Sequence, residues 1–417
     1  MSKFIIQGGQ PLSGTIEIKG AKNAALPLIA SSILSREKCV FGLVPRISDV
    51  LSLLEIMKSL GARVSWQGED TLSITCDAID NRELDYDLVR RLRASILLVG
   101  PLLARFGEVK IPYPGGCLLG RRPLDAHFRA FEALGARVEE RDDHFVVKGH
   151  DFSSSRVFLT EASVTATENI LMLASSFEGE VVIKNAACEP HVGNLAKSLV
   201  IMGAHIEGIG TNTLRVCGTR TPGATRIAVV PDQLEIGSFA AAALATRGEI
   251  DLHPVERDLI DPLLLKFDDM GASYTLKGDV LSIYRNDRLS AFHLTTNIWP
   301  GFPTDLQAPF AVLATQCQGS SMVHDWMYDG RLFYIDKLIT MGANITMCDP
   351  HRIIVSGPTQ LRGKDIESPD IRAGMAMVIA ALCAEGKSVI DRVELVDRGY
   401  YQIEERLRSL GARIERV

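Results

Sequence analysis

One short phrase recurs six times in this 417-residue chain and limits what the chain can fold into. It is Leu-Gly-Ala or Met-Gly-Ala, followed two positions later by an apolar or aromatic residue, as in Leu60-Gly61-Ala62-Arg63-Val64. The glycines are Gly61, Gly135, Gly203, Gly271, Gly342 and Gly411, spaced by 74, 68, 68, 71 and 69 residues. A period that long marks one supersecondary unit copied along the chain. Each copy reads as a helix closed by its glycine and followed by a strand, such as residues 62–66. Six units divide most naturally into two domains of three.

Aligning the copies shows a second helix upstream of each glycine, rich in Ala, Ser, Gly, Leu and Ile on nearly every face. The six are residues 21–34, 91–104, 163–176, 233–246, 304–315 and 371–384. A helix apolar all round is a buried helix. Most are followed by a Gly-x-apolar-x-apolar strand, for example Gly107-Glu108-Val109-Lys110-Ile111, and preceded by two short strands. The strand expected after Gly411 leads into the pattern that opens at Phe4. The first strand is therefore expected beside the last unit, with the chain crossing between domains near Gly20 and near Val230-Pro231. That gives one domain over residues 21–230 and a second from residues 1–20 plus 231–417.

The bulk composition narrows the function. Asp and Glu number 51 against 45 Lys and Arg, a net charge of −6 that argues against nucleic acid as a partner. The longest apolar runs, near 94–104 and 373–384, fall short of the roughly 18 residues that a membrane span needs. The opening Met1-Ser2-Lys3-Phe4 does not read as a signal peptide. Eight cysteines without Cys-x-x-Cys spacing fit reduced thiols, with no metal. A soluble cytoplasmic chain is the expectation.

Polar groups are expected only at the starts of the buried helices: Lys22 and Asn23, Arg91 and Arg93, Ser163 and Thr165, Asp232, Thr304 and Asp305, Asp370 and Arg372. N-capping accounts for Asp232, Ser163, Thr304 and Asp370. It does not account for Lys22, Arg93 and Arg372, because a cation at a helix N-terminus opposes the macrodipole. Cations placed where backbone N–H groups already point outward make sense if an anion arrives there.

A second informative stretch is Pro114-Gly115-Gly116-Cys117-Leu118-Leu119-Gly120-Arg121-Arg122-Pro123-Leu124-Asp125. Three glycines mark a segment that is mobile or closely approached. Two arginines within five residues of Cys117 favour its thiolate. Cys39, Cys76, Cys217, Cys317, Cys348 and Cys383 read as small buried residues.

With these motifs in hand, the chain resembles the enolpyruvyl transferases from residue 3 to residue 417. The resemblance rests on Gly20-Ala21-Lys22-Asn23-Ala24, Arg93-Ala94-Ser95, the cysteine loop, Phe302-Pro303-Thr304-Asp305-x-Gln307, Asp370-x-Arg372-Ala373 and Asp397-Arg398-Gly399-Tyr400. The shikimate-acceptor branch shares the sixfold fold but not the cysteine loop or the Gly-Ala-Lys-Asn-Ala opening in this form. The fold implied is α/β, a two-domain inside-out α/β barrel of six ~70-residue βαβαββ-type units. The activity implied is transfer of the enolpyruvyl group of phosphoenolpyruvate to the 3-hydroxyl of UDP-N-acetylglucosamine, with no cofactor and no metal. Lys22, Arg122 and Arg398 would hold the donor phosphate, and Arg331 and Arg372 its carboxylate. Asn23 and Asp305 would face the sugar, with Arg93, Arg122, Pro123, Leu124 and Asp125 near the nucleotide. Ser163, Val164 and Thr165 would line the uridine side, and Glu189 and Asp232 the sugar end. Cys117 is the candidate acid or covalent residue and Asp305 the candidate base.

Four positions depart from the family pattern: Thr165 where Gly is expected, Gly330 before Arg331, the extra Arg121, and the stiff run Ile111-Pro112-Tyr113-Pro114. They leave open a different acceptor of shikimate type, or a catalytically silent nucleotide-sugar binder. Closure of the cysteine loop over bound UDP-sugar is a further expectation.

Overall fold

The computed structural model describes residues 2–80, 84–115 and 123–417. All six repeat glycines take positive φ, from +70° at Gly271 to +111° at Gly203. The same two hydrogen bonds close each helix. In the first copy Gly61 N–H donates to the Lys58 carbonyl at 2.9 Å and Ala62 N–H to the Met57 carbonyl at 3.0 Å. In the last copy Gly411 donates to Arg408 and Ala412 to Leu407, both at 3.0 Å. This paired closure satisfies carbonyls that a helix end otherwise leaves bare, and it turns the chain directly into the next strand.

The chain forms two compact units. Among the described residues, one spans 20–230, and the other joins 2–19 to 231–417. In the first, Arg226–Ala228 runs parallel to Lys38–Gly42, which continues antiparallel through Thr71–Thr75 to Arg63–Gln67. Ser155–Phe158 pairs likewise with Glu180–Lys184, followed by Thr213–Cys217 and His205–Glu207. The remaining sheet has three described strands, Glu108–Pro112, His144–Lys148 and Arg137–Glu140.

The second unit repeats the order three times. Ser13–Glu17 lies parallel to Glu249–His253, then Val280–Ile283 and Tyr274–Lys277. His293–Thr295 leads Gly319–His324, Arg352–Gly357 and Asn344–Asp349. Asp365–Glu367 leads Lys387–Asp391, Lys3–Gln7 and Arg413–Arg416. The first strand of the chain thus sits between the two last ones. The edge strands also trade places. Ser13–Glu17 precedes the helix Lys22–Ser31 in sequence, yet pairs in the other unit, and Arg226–Ala228 does the reverse ahead of Gln233–Ala245.

Small side chains explain the interior. From Leu234 to Ala245 every residue of its helix is buried, and so are all eight residues of Gln307–Ala314. With Ile371–Cys383 they pack against one another, and Phe239 and Phe310 are fully inaccessible. These apolar helices are buried, while the sheets and the helices closed by the repeat glycines, such as Ser48–Ser59 and Arg257–Met270, keep one polar face toward water.

Three local expectations are corrected. Arg91 ends a separate helix, Tyr86–Arg91, where its charge suits the C-terminus, and the buried element opens as a 3-10 turn, Arg93–Leu98. Polar groups also enter the buried helices away from their starts: Asn169 accepts from Gly100 N–H at 2.7 Å and donates to the carbonyls of Ile96 and Thr165. That side chain satisfies groups the irregular turn cannot. Cys348 is exposed on its strand, while Cys217 and Cys383 are only partly buried. Among the described residues no helix is long and apolar enough to cross a membrane.

Replacing Gly135 by Ala meets nothing within 4 Å of the new Cβ, so its cost is the left-handed backbone alone, about 1 kcal/mol. At Gly61 the same change also drives Cβ to 2.9 Å from the Ala78 carbonyl oxygen. Calorimetry should show Gly61→Ala lowering the melting temperature more than Gly135→Ala, and equal losses would contradict this account.

Candidate functional site

The unit that carries both chain ends gathers one dense ionic cluster at the starts of its buried helices. Asp232 and Asp370 are true caps: Asp232 accepts from Leu234 N–H at 2.8 Å, and Asp370 from Arg372 N–H at 2.7 Å and Ala373 N–H at 3.0 Å. Asp305 lies in the 3-10 turn Thr304–Leu306 and bridges two guanidinium groups. One carboxylate oxygen accepts from Arg331 Nη2 and the other from Arg372 Nε at 3.1 Å. Burial opposes both arginine charges, yet Asp305 and neighbouring acids outweigh it at Arg331, and Tyr400 with Asp305 and Asp232 at Arg372, so both pKa values are raised. Arg372 also lies over the ring of Tyr400, 5.3 Å from its centroid, and Tyr400 shares a 2.8 Å hydrogen bond with Ser238. Asp232 is held up by burial, with the charge of Arg372 opposing. Arg398 ends the 3-10 turn Val393–Arg398 and is partly exposed.

Arg331 comes from a loop that the sequence does not mark as special, and a fully buried acid fixes that loop. Asp325 accepts from Thr304 Oγ1 at 2.5 Å and from Met327 N–H at 3.1 Å, while its carbonyl lies 2.8 Å from His351 Nδ1. Thr304 is therefore a tie to this loop, not a cap. Asp325 went unread because an isolated Asp in a turn carries no motif.

The unit 20–230 carries its own set. Lys22 is the first residue of its helix and pairs with the buried Asp49 at 3.1 Å. Arg93 donates from Nη1 to the Pro114 carbonyl at 3.4 Å, tying down the start of the cysteine loop. The next residue, Gly115, has no room for a side chain, since a Cβ would lie 2.3 Å from the Arg90 carbonyl oxygen. Ser163 stands at the N-cap position without a side-chain cap bond, Val164 follows, and Thr165 Oγ1 lies 2.9 Å from His127 Nε2. Thr165 thus ties the helix start to a histidine absent from the sequence reading. Leu124 precedes the helix Asp125–Ala133 and is buried, Pro123 is exposed, and Asn23 is partly buried on the helix begun by Lys22. Glu189 precedes Pro190–Ile201 without a side-chain cap bond. Cys117, Arg121 and Arg122 lie outside the described residues.

The anions that meet the helix-start cations are thus the chain's own carboxylates, Asp49 for Lys22 and Asp305 for Arg372. Among the described residues there is no group of three His, Cys, Asp or Glu placed to hold a metal.

Comparison with known proteins bears on the family and the fold. The profile of the family described as EPSP synthase (3-phosphoshikimate 1-carboxyvinyltransferase) matches residues 6–407. The UDP-N-acetylglucosamine 1-carboxyvinyltransferase of Treponema denticola is 44% identical, covering 100% of this chain and 99% of that protein. The protein of the same name from Bradyrhizobium diazoefficiens is also 44% identical, over 100% and 98%. Among solved structures, the enolpyruvyl transferase NikO from Streptomyces tendae superposes with a TM-score of 0.90 at 21% identity, covering 100% and 99%. EPSP synthase from Acinetobacter baumannii gives 0.76 at 20% identity, with 100% of each chain covered. At these identities the two structures speak for the fold alone.

One buried carboxyl beside the Thr165 turn yields a stability test. Glu168 is 1% exposed, its Oε1 has no hydrogen-bond partner, and burial followed by the charge of Glu189 holds its pKa well above the ordinary glutamate value. Burial favours its neutral form in the folded protein, so its cost to stability grows as pH rises above the ordinary glutamate value. Glu168→Gln should therefore gain on wild type as pH rises from that value, by up to about 1.4 kcal/mol per pH unit. Melting curves at several pH values check this, and a difference that does not change with pH would rule it out.

Proposed function

The chain belongs to the EPSP synthase family of enolpyruvyl transferases, and from that premise we propose how its residues carry out the transfer. The enzyme moves the enolpyruvyl group of phosphoenolpyruvate to the 3-hydroxyl of UDP-N-acetylglucosamine and releases phosphate, the first step of peptidoglycan synthesis. Full-length identity of 44% to enzymes named for this reaction is the observation that carries the reading. A cytoplasmic location follows from the substrates.

The donor carries about three negative charges, which calls for clustered cations. Arg331 and Arg372 take its carboxylate, and Lys22, Arg122 and Arg398 its phosphate. The acceptor sugar meets Asn23 and Asp305, with Glu189 and Asp232 behind it. Arg93, Arg122, Pro123, Leu124 and Asp125 attend the nucleotide, and Ser163, Val164 and Thr165 its uridine.

The chemistry is addition followed by elimination. Protonation of donor C3 by Cys117 makes C2 an oxocarbenium-like centre, and the sugar hydroxyl oxygen attacks it while Asp305 takes the hydroxyl proton. The resulting tetrahedral adduct loses a proton from its new methyl group and expels phosphate, which restores the enol double bond. Alternatively the Cys117 thiol adds across the donor double bond, its sulfur bonding to C2 and its proton going to C3, and holds the group covalently. The Asp305–arginine bridge sets the proposed base beside the two groups assigned to the donor carboxylate.

The test is phosphate release from phosphoenolpyruvate with UDP-N-acetylglucosamine. Wild type should release phosphate only when the acceptor is present, and Cys117→Ala should lower kcat by at least ~100-fold. Release that survives the mutation would demote Cys117 to a loop residue. Release only with shikimate 3-phosphate would reassign the acceptor, and none with either would mark a silent binder.

A further inference from the structure

The base assigned above is engaged where a base should be available. A carboxylate whose two oxygens each accept from a guanidinium group is a weakened base, with both oxygens held to the arginines rather than to a sugar hydroxyl. Yet those two arginines are the pair that the functional reading gives to the donor's carboxylate. Building on that reading, we propose that Asp305 occupies the seat of the donor carboxylate, so that binding of the donor itself frees the base.

Three observations carry this. First, the groups match: Asp305 offers a planar pair of oxygens, one to each arginine, as an enolpyruvyl carboxylate would. Second, the partners differ in freedom. The Arg331 and Arg372 side chains are each 5% exposed, whereas that of Asp305 is 30% exposed. Arg331 is further held by its Nε against the Thr304 carbonyl at 3.4 Å, and Arg372 by the ring of Tyr400. The arginines are the fixed frame and the carboxylate is the group able to swing out. Third, Asp305 does not complete the frame. Nη1 of Arg372 is buried with no hydrogen-bond partner, a charged donor left for another acceptor. The neighbouring acids cannot serve as the exchangeable group, because Asp232, Asp325 and Asp370 each hold backbone N–H groups.

The exchange needs no covalent step. A donor carboxylate displaces the Asp305 carboxylate from the two arginines, one negative group replacing another, and the released side chain regains its basicity and is free to take the acceptor proton. The site therefore becomes basic only when there is a donor to react with.

The distinguishing consequence is that damaging the base should improve donor binding. By calorimetry without acceptor, Asp305→Asn and Asp305→Ala should bind phosphoenolpyruvate roughly tenfold tighter than wild type, and pyruvate, which has the carboxylate but no phosphate, should gain similarly. Inorganic phosphate should bind all three proteins alike. Equal gains for phosphate and the carboxylates would reduce the effect to the loss of one negative charge and overturn the proposal. Unchanged or weaker binding of phosphoenolpyruvate to both variants would overturn it too. Acceptor-dependent turnover by wild type is read independently, so either failure leaves the assignment of the reaction standing, and only its absence would remove that as well. Melting curves of both variants establish that the binding data come from folded protein.

Discussion

A helix buried on every side has one place where polarity is cheap, its N-terminal turn, where backbone N–H groups lack partners inside the helix. The organisation of this protein follows from that constraint. The three inner helices of the unit built from both chain ends bury nearly every side chain, and their charged groups collect at their starts. Asp232 and Asp370 answer the bare N–H groups directly. Their negative charge in turn makes room for guanidinium groups that the helix dipole alone would repel. The polar ends of structural helices thereby gather a cluster of paired charges, with no separate element built for the purpose.

The same constraint explains what was legible in the sequence. The six glycines could be read because a left-handed helix closure tolerates few other residues, so the requirement is written in one letter. Lys22, Asp305 and Arg372 could be read because each stands at the edge of an apolar run where a charge is conspicuous. Asp49, His127, Asn169 and Asp325 could not. Each works through a partner distant in sequence: Lys22 is 27 residues from Asp49, and Gly100 is 69 from Asn169. Their residue types are ordinary in loops and surface helices, and only the packing brings the partners together. The 3-10 opening at Arg93 was missed for a related reason, since composition reports that a helix is buried but not how tightly its first turn is wound. Thr165 is an intermediate case: as a departure from the family pattern it was visible, but its tie to His127 was not.

The two helix-start cations show how one scaffold sets different degrees of readiness. Lys22 is paired with an acid slightly more buried than itself, so that pair behaves as part of the framework. Arg372 is paired with an acid that water can reach. The difference lies in where the acid comes from. Asp49 is anchored within a helix of twelve residues, while Asp305 sits in a three-residue turn. Rigid pairing stores a charge, whereas loose pairing leaves it open to exchange.

The exchange of edge strands between the units bears on the order in which a ribosome can finish the molecule. Residues 20–230 contain every described strand of their own three sheets, so that unit is complete in material terms when only about half the chain exists. The other unit is not. Lys3–Gln7 and Ser13–Glu17 emerge first, yet Ser13–Glu17 pairs with Glu249–His253, and Lys3–Gln7 with Lys387–Asp391 and Arg413–Arg416. Both strands must wait for partners that lie more than two hundred residues further along the chain. Synthesis therefore closes this unit like a clasp, an early strand being locked only once a much later one has been made.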